Sequence, residues 1–326
     1  MTNANLQEMV QPVVRDLKAF DQRLYKFLSA NSRLISGIIK HIMSARGKRL
    51  RPVILFLSAR GGGYTSPKMI DAALAIELIH TATLLHDDVV DESDIRRGQD
   101  SVNHRWTNLI SVLMGDFLFS RAFRILVETK SQELIQSISY ATERVSYGEL
   151  RQVEEVANYE LSEKDYLKII SDKTASLFAT ACEAGPILKR ADGKERKRFY
   201  SFGENIGIAF QIADDLLDYV GDTRKTGKSV GSDLIQGKVT LPLIYALSNS
   251  SAKTCREITK SLNNGINKRG INKILRFVTE RGGIDYAYRA AHKFSQRAGN
   301  SCDKMKNNIY RKTLKQILDF TVARDN

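Results

Sequence analysis

Apolar residues recur at helical spacing along most of this chain, and this feature leaves little room for a sheet. Runs such as Leu74 to Ile79 and Ile206 to Ile212 place apolar residues at i, i+3 and i+4, the period of a helix with a buried face. Alternating strand-like patterns are rare, and only 5 of the 326 residues are proline. The sequence therefore predicts an all-α fold. No low-complexity linker interrupts it, so we expect a single domain over residues 1–326.

Glycine, proline and polar clusters divide the predicted helices. The first half is predicted to hold two helices within 1–45, a basic turn over 47–52, a helix from Pro52 to the glycines at 61–63, a helix from 66–67 to the first acidic motif, and a polar loop over 94–103. The rest is predicted to hold helices over 109–126, 132–156 and 163–188, a helix from Lys194 to the second acidic motif, a glycine- and lysine-rich loop over 221–237, and helices from 241 to the end.

Two copies of one acidic pattern lie at the ends of apolar helical stretches. Residues 87–91 read Asp-Asp-Val-Val-Asp, and residues 214–218 read Asp-Asp-Leu-Leu-Asp. In a helix, positions i and i+4 lie on the same face, so each copy presents a pair of carboxylates. Two such pairs facing each other across a cavity would suit Mg²⁺ and a substrate diphosphate. A solvated acidic face is the plainer alternative, but it gives no reason for the aliphatic residues between the acids in both copies.

Cationic and polar residues surround these motifs in sequence and could neutralise phosphates. His80 precedes Asp87 by two helical turns, and Gln211 precedes Asp214 by three residues. Each candidate could also be solvated or packed in the core. The candidates are Lys48, Arg51, His80, Arg96, Arg97, Lys173, Thr174, Gln211, Lys228 and Lys238.

The charge is unevenly distributed. Residues 251–326 hold 17 Lys/Arg and 6 Asp/Glu, and therefore carry +11 of the formal net charge of +13. These bases are scattered along amphipathic stretches without interleaved aromatics, so we interpret them as a solvated face and predict no nucleic-acid partner. Three widely spaced cysteines suggest neither a metal site nor disulfides. We find no signal peptide and no apolar run near the ~20 residues that span a bilayer, and we expect a cytoplasmic protein.

The motifs resemble those of the trans-polyprenyl diphosphate synthases. The similarity is carried by residues 87–98, by Phe210 to Tyr219, by the Gly-Lys-Arg-Leu-Arg-Pro turn at 47–52, and by Gly-Lys-Val-Thr-Leu-Pro at 237–242. The similarity extends over nearly the whole chain. Within the family, the chain resembles above all the long-chain members that make ubiquinone side chains. One departure is Arg151, where an aliphatic residue is expected.

The resemblance implies an isoprenoid synthase helical bundle around a deep central cavity, usually as a homodimer. It implies two substrates, isopentenyl diphosphate and an allylic diphosphate, with possible transient membrane contact during product release. It also implies roughly two to three Mg²⁺ ions per active site. Lys48, Arg51, His80 and Arg97 would hold isopentenyl diphosphate. Arg96, Lys173, Thr174, Gln211, Lys228 and Lys238 would hold the allylic diphosphate. The principal Mg²⁺ ligands would be Asp87, Asp91 and Asp214, supported by Asp88, Asp215 and Asp218; the catalytic set would be Asp87, Asp91, Arg96, Lys173, Asp214 and Lys238.

Product length is predicted from the residues one turn before the first motif. Ala82 and Thr83 are small, and a helical turn rises 5.4 Å, close to one extended prenyl unit. Side-chain bulk at this turn would therefore act as a ruler, and small residues predict a long product of about eight to ten units. The alternatives are a shorter-chain synthase of the geranylgeranyl type, a terpene cyclase, and a non-enzymatic protein, either a regulatory subunit or a nucleic-acid binder that uses the basic C-terminal region. The second aspartate motif and the Lys48–Arg51 turn disfavour a cyclase, and the six retained aspartates disfavour an inactive subunit.

Overall fold

The chain is a bundle of α-helices, as its periodicity predicts. The structure, a computed structural model, describes residues 8–29, 31–44, 47–220, 230–263, 268–306 and 308–322. The helices are α1 (Val14–Leu28), α2 (Arg33–Ser44), α3 (Leu50–Gly61), α4 (Lys68–Val90), α5 (Val102–Arg105), α6 (Asn108–Glu128), α7 (Gln132–Glu154), α8 (Glu163–Ile170), α9 (Ser176–Leu188), α10 (Gly193–Val220), α11 (Ser232–Ile235), α12 (Leu241–Ser248), α13 (Ala252–Asn263), α14 (Lys268–Glu280), α15 (Gly283–Cys302) and α16 (Ile309–Val322).

Side-chain caps fix where α5, α6, α7 and α8 begin. A hydroxyl preceding each helix accepts a hydrogen bond from a backbone N–H in the first turn, which satisfies a donor that the helix itself leaves unpaired. The capping residues are Ser101, Thr107, Ser131 and Ser162.

Helix α4 is the central helix of the first half of the chain. It packs extensively against α6 and also contacts α1, α3 and α9. By length and composition alone it is the one helix in the described ranges that could cross a membrane, a property the sequence analysis did not anticipate. However, 61% of its apolar window is buried inside the protein, as expected of a core helix.

The buried apolar side chains form two clusters. The first is built mainly from α1–α4, α6, α7 and α9, and the second from α8 and α12–α15. Helix α10 belongs to both: Phe202 and Ile206 lie in the first cluster, whereas Ile212 and Leu216 lie in the second. Helices α15 and α16 also contribute side chains to both clusters, so several helices connect the two cores. The single domain over 1–326 stays a prediction.

The predicted polar loop at 94–103 contains a small β-hairpin that sequence analysis missed. Strands β1 (Ile95–Arg96) and β2 (Gln99–Asp100) pair antiparallel. The two connecting residues, Arg97 and Gly98, both have positive φ, of 53° and 76°, as in the tight turns that suit two-residue hairpins. The strands are too short to show an alternating pattern, so periodicity could not reveal them.

Two further elements depart from the predicted boundaries. The helix expected over 163–188 is interrupted by a π-helical segment, Ser171–Ala175, between α8 and α9. The loop expected over 221–237 contains the short helix α11. Both elements carry or contact residues of the candidate site.

Candidate active site

The first acidic motif lies at the C-terminal end of α4, and its carboxylates point in two different directions. Asp87 and Asp91 are one helical turn apart, and the Asp91 N–H donates to the Asp87 carbonyl at 2.7 Å. Asp88 is buried, and its carboxylate accepts a charge-assisted hydrogen bond from Arg96 in β1. Asp88 therefore ties the hairpin to α4, while Asp87 and Asp91 share the neighbouring face.

Asp87 lies in a partly buried cluster of acids and one lysine. Burial raises the pKa of Asp87 to about 7. The nearby carboxylates of Glu149 and Asp91 also raise this pKa, whereas the cations Lys173 and Arg96 lower it. The Lys173 ammonium pairs with Glu149 at 2.5 Å. Burial alone would lower the pKa of Lys173, but the surrounding carboxylates raise it above its ordinary value. The lysine therefore stays charged among three acids.

The second acidic motif lies near the end of α10 and is held by a hydrogen-bond chain from the π-helical segment. Thr174 Oγ1 donates to Gln211 Oε1 at 2.7 Å, and Gln211 Nε2 donates to Asp215 Oδ1 at 2.8 Å. The hydroxyl of Tyr166 donates to the other oxygen of Asp215 at 2.5 Å. Asp214, by contrast, has an exposed side chain.

The other two carboxylates of this region differ in their environment. Burial raises the pKa of Asp215 to about 8, and the nearby carboxylate of Asp233 contributes to the rise. Asp218 accepts hydrogen bonds from the backbone N–H groups of Ser232 and Asp233, at 2.9 and 3.0 Å, and from the Ser232 hydroxyl at 2.7 Å. Asp218 thus holds the N-terminal turn of α11 against α10.

Two sets of contacts join the acidic motifs. In the first, Lys238 Nζ pairs with Asp91 Oδ2 at 2.9 Å, while the Lys238 N–H donates to the carbonyl of Asp233 beside Asp218. In the second, the adjacent residues Lys173 and Thr174 turn to opposite motifs. Lys173 faces the acids around Asp87, and Thr174 bonds the glutamine that holds Asp215. Lys173, Thr174 and Lys238 therefore link the surroundings of the two motifs.

The described part of the chain contains no group of three or more His, Cys, Asp or Glu arranged to hold a metal ion on its own. Asp88, Asp91, Asp215 and Asp218 each bond to protein donors. The assignment of Mg²⁺ to all six aspartates stays a prediction.

A second cationic site lies beside α4, one to two turns before the motif. Burial lowers the pKa of Arg51 to about 10, with Glu77 opposing the fall and Arg97 adding to it. Burial also lowers the pKa of His80 well below its usual range, and Arg51 and Arg97 lower it further. A Cβ on Gly47 would lie 2.5 Å from a nitrogen of Arg97, so this glycine lets the guanidinium approach the turn. The structure thus brings together three of the four residues predicted to bind isopentenyl diphosphate.

The fourth residue, Lys48, follows Gly47 in the same turn. Its ammonium lies 5.4 Å from the ring centroid of Phe320 in α16, so the last helix reaches this edge of the site. The next residue, Arg49, adopts a left-handed backbone conformation with φ of 50°, which is uncommon for a residue other than glycine and typical of functional turns. Lys228 lies outside the described residues.

Sequence reasoning missed Glu77 and Glu149. Glu77 is buried, lies 3.6 Å from Arg49, and acts electrostatically on Arg51 and Arg97. Its signal was available, because a single acid inside the apolar run of α4 must find cationic partners when it is buried. Glu149 follows Gly148 in α7, and nothing in the local pattern distinguishes it from a solvated glutamate. Only its pairing with Lys173 reveals it.

The residues predicted to set product length lie on α4 just before the motif. Ala82 is completely buried in the first cluster. Thr83 is half-buried, and its hydroxyl donates to the His80 carbonyl at 2.8 Å. A cavity of about 870 Å³, solvent at its mouth included, lies against the α4 face that carries Leu78 and Thr81, and its walls include neither Ala82 nor Thr83. The chain-length role stays a prediction.

Arg151, the departure from the expected pattern, lies at the end of α7. It pairs with Glu155 at 3.2 Å, with Glu154 at 3.5 Å and with Asp165 at 3.9 Å. Its charge is therefore balanced locally by three acids.

Comparison with known proteins agrees with this geometry. The sequence profile of the polyprenyl synthetase family matches residues 32–277. The octaprenyl diphosphate synthase of Haemophilus influenzae is 35% identical over the whole chain and 98% of its own length. The all-trans-nonaprenyl-diphosphate synthase (geranyl-diphosphate specific) of Rhodobacter capsulatus is 36% identical, covering 98% of both chains.

Solved structures give the same result. The crystal structure of a decaprenyl diphosphate synthase from Rhodobacter capsulatus has a TM-score of 0.92 at 33% identity, covering 98% of this chain and 99% of that one. A polyprenyl synthase from Caulobacter crescentus, complexed with calcium and isoprenyl diphosphate, has a TM-score of 0.93 at 34% identity and covers 98% of each chain. The chain belongs to the polyprenyl synthetase family.

Proposed function

We propose that this chain is a prenyltransferase that extends an allylic diphosphate, such as farnesyl diphosphate, by repeated trans condensation with isopentenyl diphosphate. The product is a long-chain all-trans polyprenyl diphosphate, of the octaprenyl or decaprenyl class, for a ubiquinone side chain. One observation carries the proposal. Lys173 and Lys238 lie among the acids around the α4 motif and are linked by hydrogen bonds of neighbouring groups to the α10 motif, and a second cationic site lies beside α4. The long-chain relatives support the product class.

Mg²⁺ is the proposed cofactor, and the residues present fit it. The donors are carboxylate oxygens, which Mg²⁺ prefers, and burial with nearby acids raises the pKa of Asp87 to about 7. A bound cation would therefore relieve a cluster that disfavours ionisation. Asp87 and Asp91 from α4 and Asp214 from α10 would hold it. When bound, Mg²⁺ supplies Lewis-acid stabilisation of a diphosphate leaving group. Calcium accompanies isoprenyl diphosphate in the Caulobacter crescentus relative, which supports this role.

The proposed allylic site is built from residues that contact the acidic motifs. Arg96, Lys173 and Lys238 each pair with a carboxylate, namely that of Asp88, Glu149 and Asp91. In this assignment their positive charge would stabilise the negative charge that develops as the carbon–oxygen bond of the allylic diphosphate breaks. Thr174 and Gln211 offer neutral hydrogen-bonding groups beside them, and Lys228 is retained from the sequence prediction.

The proposed second substrate, isopentenyl diphosphate, is assigned to Lys48, Arg51, His80 and Arg97. Guanidinium groups match the geometry of phosphate oxygens. His80 is neutral at physiological pH because burial and the nearby arginines lower its pKa, so it serves as a hydrogen-bonding group. The double bond held there attacks the allylic carbon, a carbon–carbon bond forms, diphosphate leaves, and one proton is lost from the new product. The leaving diphosphate is the proposed acceptor of that proton.

We propose that the chain acts as a homodimer through one face of α6 and α7. Leu109, Leu113 and Val127 share a face of α6 by their spacing, and Leu109 is 67% exposed. Tyr147 and Leu150 are exposed apolar side chains on α7. Large apolar side chains exposed on neighbouring helices are candidates for an interaction site. A self-complementary pairing would cover it, and light scattering after size exclusion would measure the mass directly.

The cytoplasm is the proposed compartment. The three cysteines are free, with Cys182 and Cys302 buried, as suits a reducing environment. Release of a long hydrocarbon product would still involve transient contact with a membrane surface.

The activity assay also separates the alternatives. The purified chain is incubated with farnesyl diphosphate, labelled isopentenyl diphosphate and Mg²⁺, and the dephosphorylated products are separated by chromatography. We expect labelled alcohols of about eight to ten prenyl units, as the small side chains before the motif imply. A geranylgeranyl-type synthase would stop at a much shorter alcohol, and a cyclase would give products without isopentenyl diphosphate. No incorporation by the folded protein would overturn the proposal.

A further inference from the structure

We propose that Arg144 is a positioning residue for the allylic-diphosphate site. In this proposal, which rests on the proposed function, Arg144 fixes the π-helical segment Ser171–Ala175. It thereby fixes the directions in which Lys173 and Thr174 point.

The π-helical segment has to place two adjacent residues precisely. Lys173 pairs with Glu149 on α7, whereas Thr174 donates to Gln211 on α10. π-Helical turns are rare and occur mostly as short interruptions of α-helices, often at functional sites. In an ordinary α-helix each residue turns by about 100°. A one-residue shift into regular α-helix would therefore swing both side chains away from their partners.

Arg144 bonds directly to this segment from α7. Its Nε donates to Asp172 Oδ1 at 2.6 Å, and its Nη2 donates to Ser171 Oγ at 2.8 Å. The same guanidinium also donates to the hydroxyl of Tyr200 and to Glu204 Oε1 on α10. The planar fork of arginine can satisfy these fixed acceptors together, so one side chain links α7, the segment and α10.

Two glycines on the neighbouring helices also lie in close contact with the backbone of the segment. A Cβ on Gly148, one turn after Arg144 on α7, would lie 2.5 Å from the Lys173 nitrogen. A Cβ on Gly207 of α10 would lie 2.5 Å from the Ala175 Cα. The two glycines set how closely the helices approach, but they do not select which residues of the segment turn inward. The bonds from Arg144 to Ser171 and Asp172 supply that selection.

The test separates positioning from stability. Asp172 is only 2% exposed, so Arg144→Met alone leaves a buried acid with Lys168 as its remaining cation, and it will destabilise the fold. The double variant Arg144→Met/Asp172→Leu removes both charges, which often restores stability when a buried pair is replaced. The matched control is Arg196→Met/Glu183→Leu. It removes a 3.2 Å ion pair between α10 and α9 that does not touch the segment.

We expect the double variant to melt close to the wild type and to show a KM for the allylic diphosphate raised about tenfold, the effect of about 1.4 kcal/mol of lost binding. The KM for isopentenyl diphosphate should stay within about twofold, because its site is built on α3, α4 and the hairpin. The control should change neither constant. Arg144→Lys, which keeps the charge but loses the fork, should raise the allylic KM while retaining the fold.

The positioning role would be overturned if the folded double variant had an unchanged KM for the allylic diphosphate. If the double variant is unstable, an unchanged allylic KM in folded Arg144→Lys would overturn it instead. So would an equal rise in both KM values, which a general loosening of the bundle would produce. Calorimetric binding of farnesyl diphosphate with Mg²⁺ is measured in parallel. If the wild type binds but does not turn over, the proposed function fails, and the affinity ratio between variant and wild type still tests Arg144.

Discussion

The hydrogen bond from Tyr166 to Asp215 allows a pH-dependent test of how the second acidic motif is held. Burial raises the pKa of Asp215 from its ordinary 3.8 to about 8, while its bonds from Tyr166 and Gln211 oppose that rise. Since the folded pKa exceeds the unfolded one, protonation of Asp215 favours folding. That contribution is fully present below about pH 4 and is lost as the pH rises through 8. The wild type should therefore be less stable at pH 9.5 than at pH 6 on account of this group.

Tyr166→Phe removes the hydroxyl and leaves the ring in place. At pH 9.5 Asp215 is ionised, and a hydrogen bond to a charged group contributes about 1.5 to 3 kcal/mol. At pH 6 Asp215 is protonated, and the lost bond is a neutral one contributing about 1 kcal/mol. The unfolding entropy of about 2.1 cal/mol/K per residue gives about 0.7 kcal/mol/K for this chain. We expect the Tm to fall by about 2 to 4 °C at pH 9.5 and by about 1.5 °C at pH 6.

Circular dichroism melts in EDTA at the two pH values make the measurement. The pKa of Tyr166 lies well above its usual range because of burial and the adjacent Asp215, so its own ionisation does not interfere. Tyr286→Phe is the control, because Tyr286 donates at 2.7 Å to Glu163 outside the acidic cluster. Its effect should be the same at both pH values. Equal effects of Tyr166→Phe at both pH values, or a larger one at pH 6, would refute the reasoning about Asp215.

Three further predictions concern the site. Asp87→Ala should lower isopentenyl diphosphate incorporation by about 10³-fold or more with an unchanged circular dichroism spectrum, and a wild-type rate at saturating Mg²⁺ would remove Asp87 from the metal site. Glu77→Gln should raise the KM for isopentenyl diphosphate about tenfold and leave the allylic KM unchanged. The reason is that the negative charge of Glu77 offsets the repulsion between Arg51 and Arg97. Equal KM values for isopentenyl diphosphate in variant and wild type would contradict this role. Ala82→Phe should shorten the product by filling the turn before the motif, and chromatography showing the wild-type product distribution would count against that geometry.

Much of the fold was predictable from the sequence, because the signals that indicate a helix lie within a few residues of one another. The all-α isoprenoid synthase fold is confirmed, since apolar spacing and helix caps act within a few residues. The hairpin at Ile95–Asp100 and the π-helical segment were missed for the opposite reason. The hairpin's strands are two residues long, and the π-helical turn accepts a hydrogen bond at Asp172 from Arg144, which lies 28 residues earlier in the chain.

The site was predictable where its chemistry is repeated or concentrated in a motif. The paired aspartates and the cations near them were found in this way, and the class of enzyme is confirmed by the family assignment. The roles of individual residues stay predictions. Glu149 and Tyr166 could not be found, because their importance lies in contacts with Lys173 and Asp215 that no local pattern encodes. Lys238 and Asp91 are 147 residues apart in sequence and 2.9 Å apart in space.

Helix α10 begins in one apolar core and ends in the other, and the first acidic motif belongs to a helix of the first core alone. The gap between the motifs is therefore also the seam where the two cores meet. A fragment that kept only one core would retain half of the carboxylates and no opposing face. Helices α15 and α16 also contribute side chains to both cores. The separation of the two acidic motifs therefore depends on how the cores pack together across three shared helices.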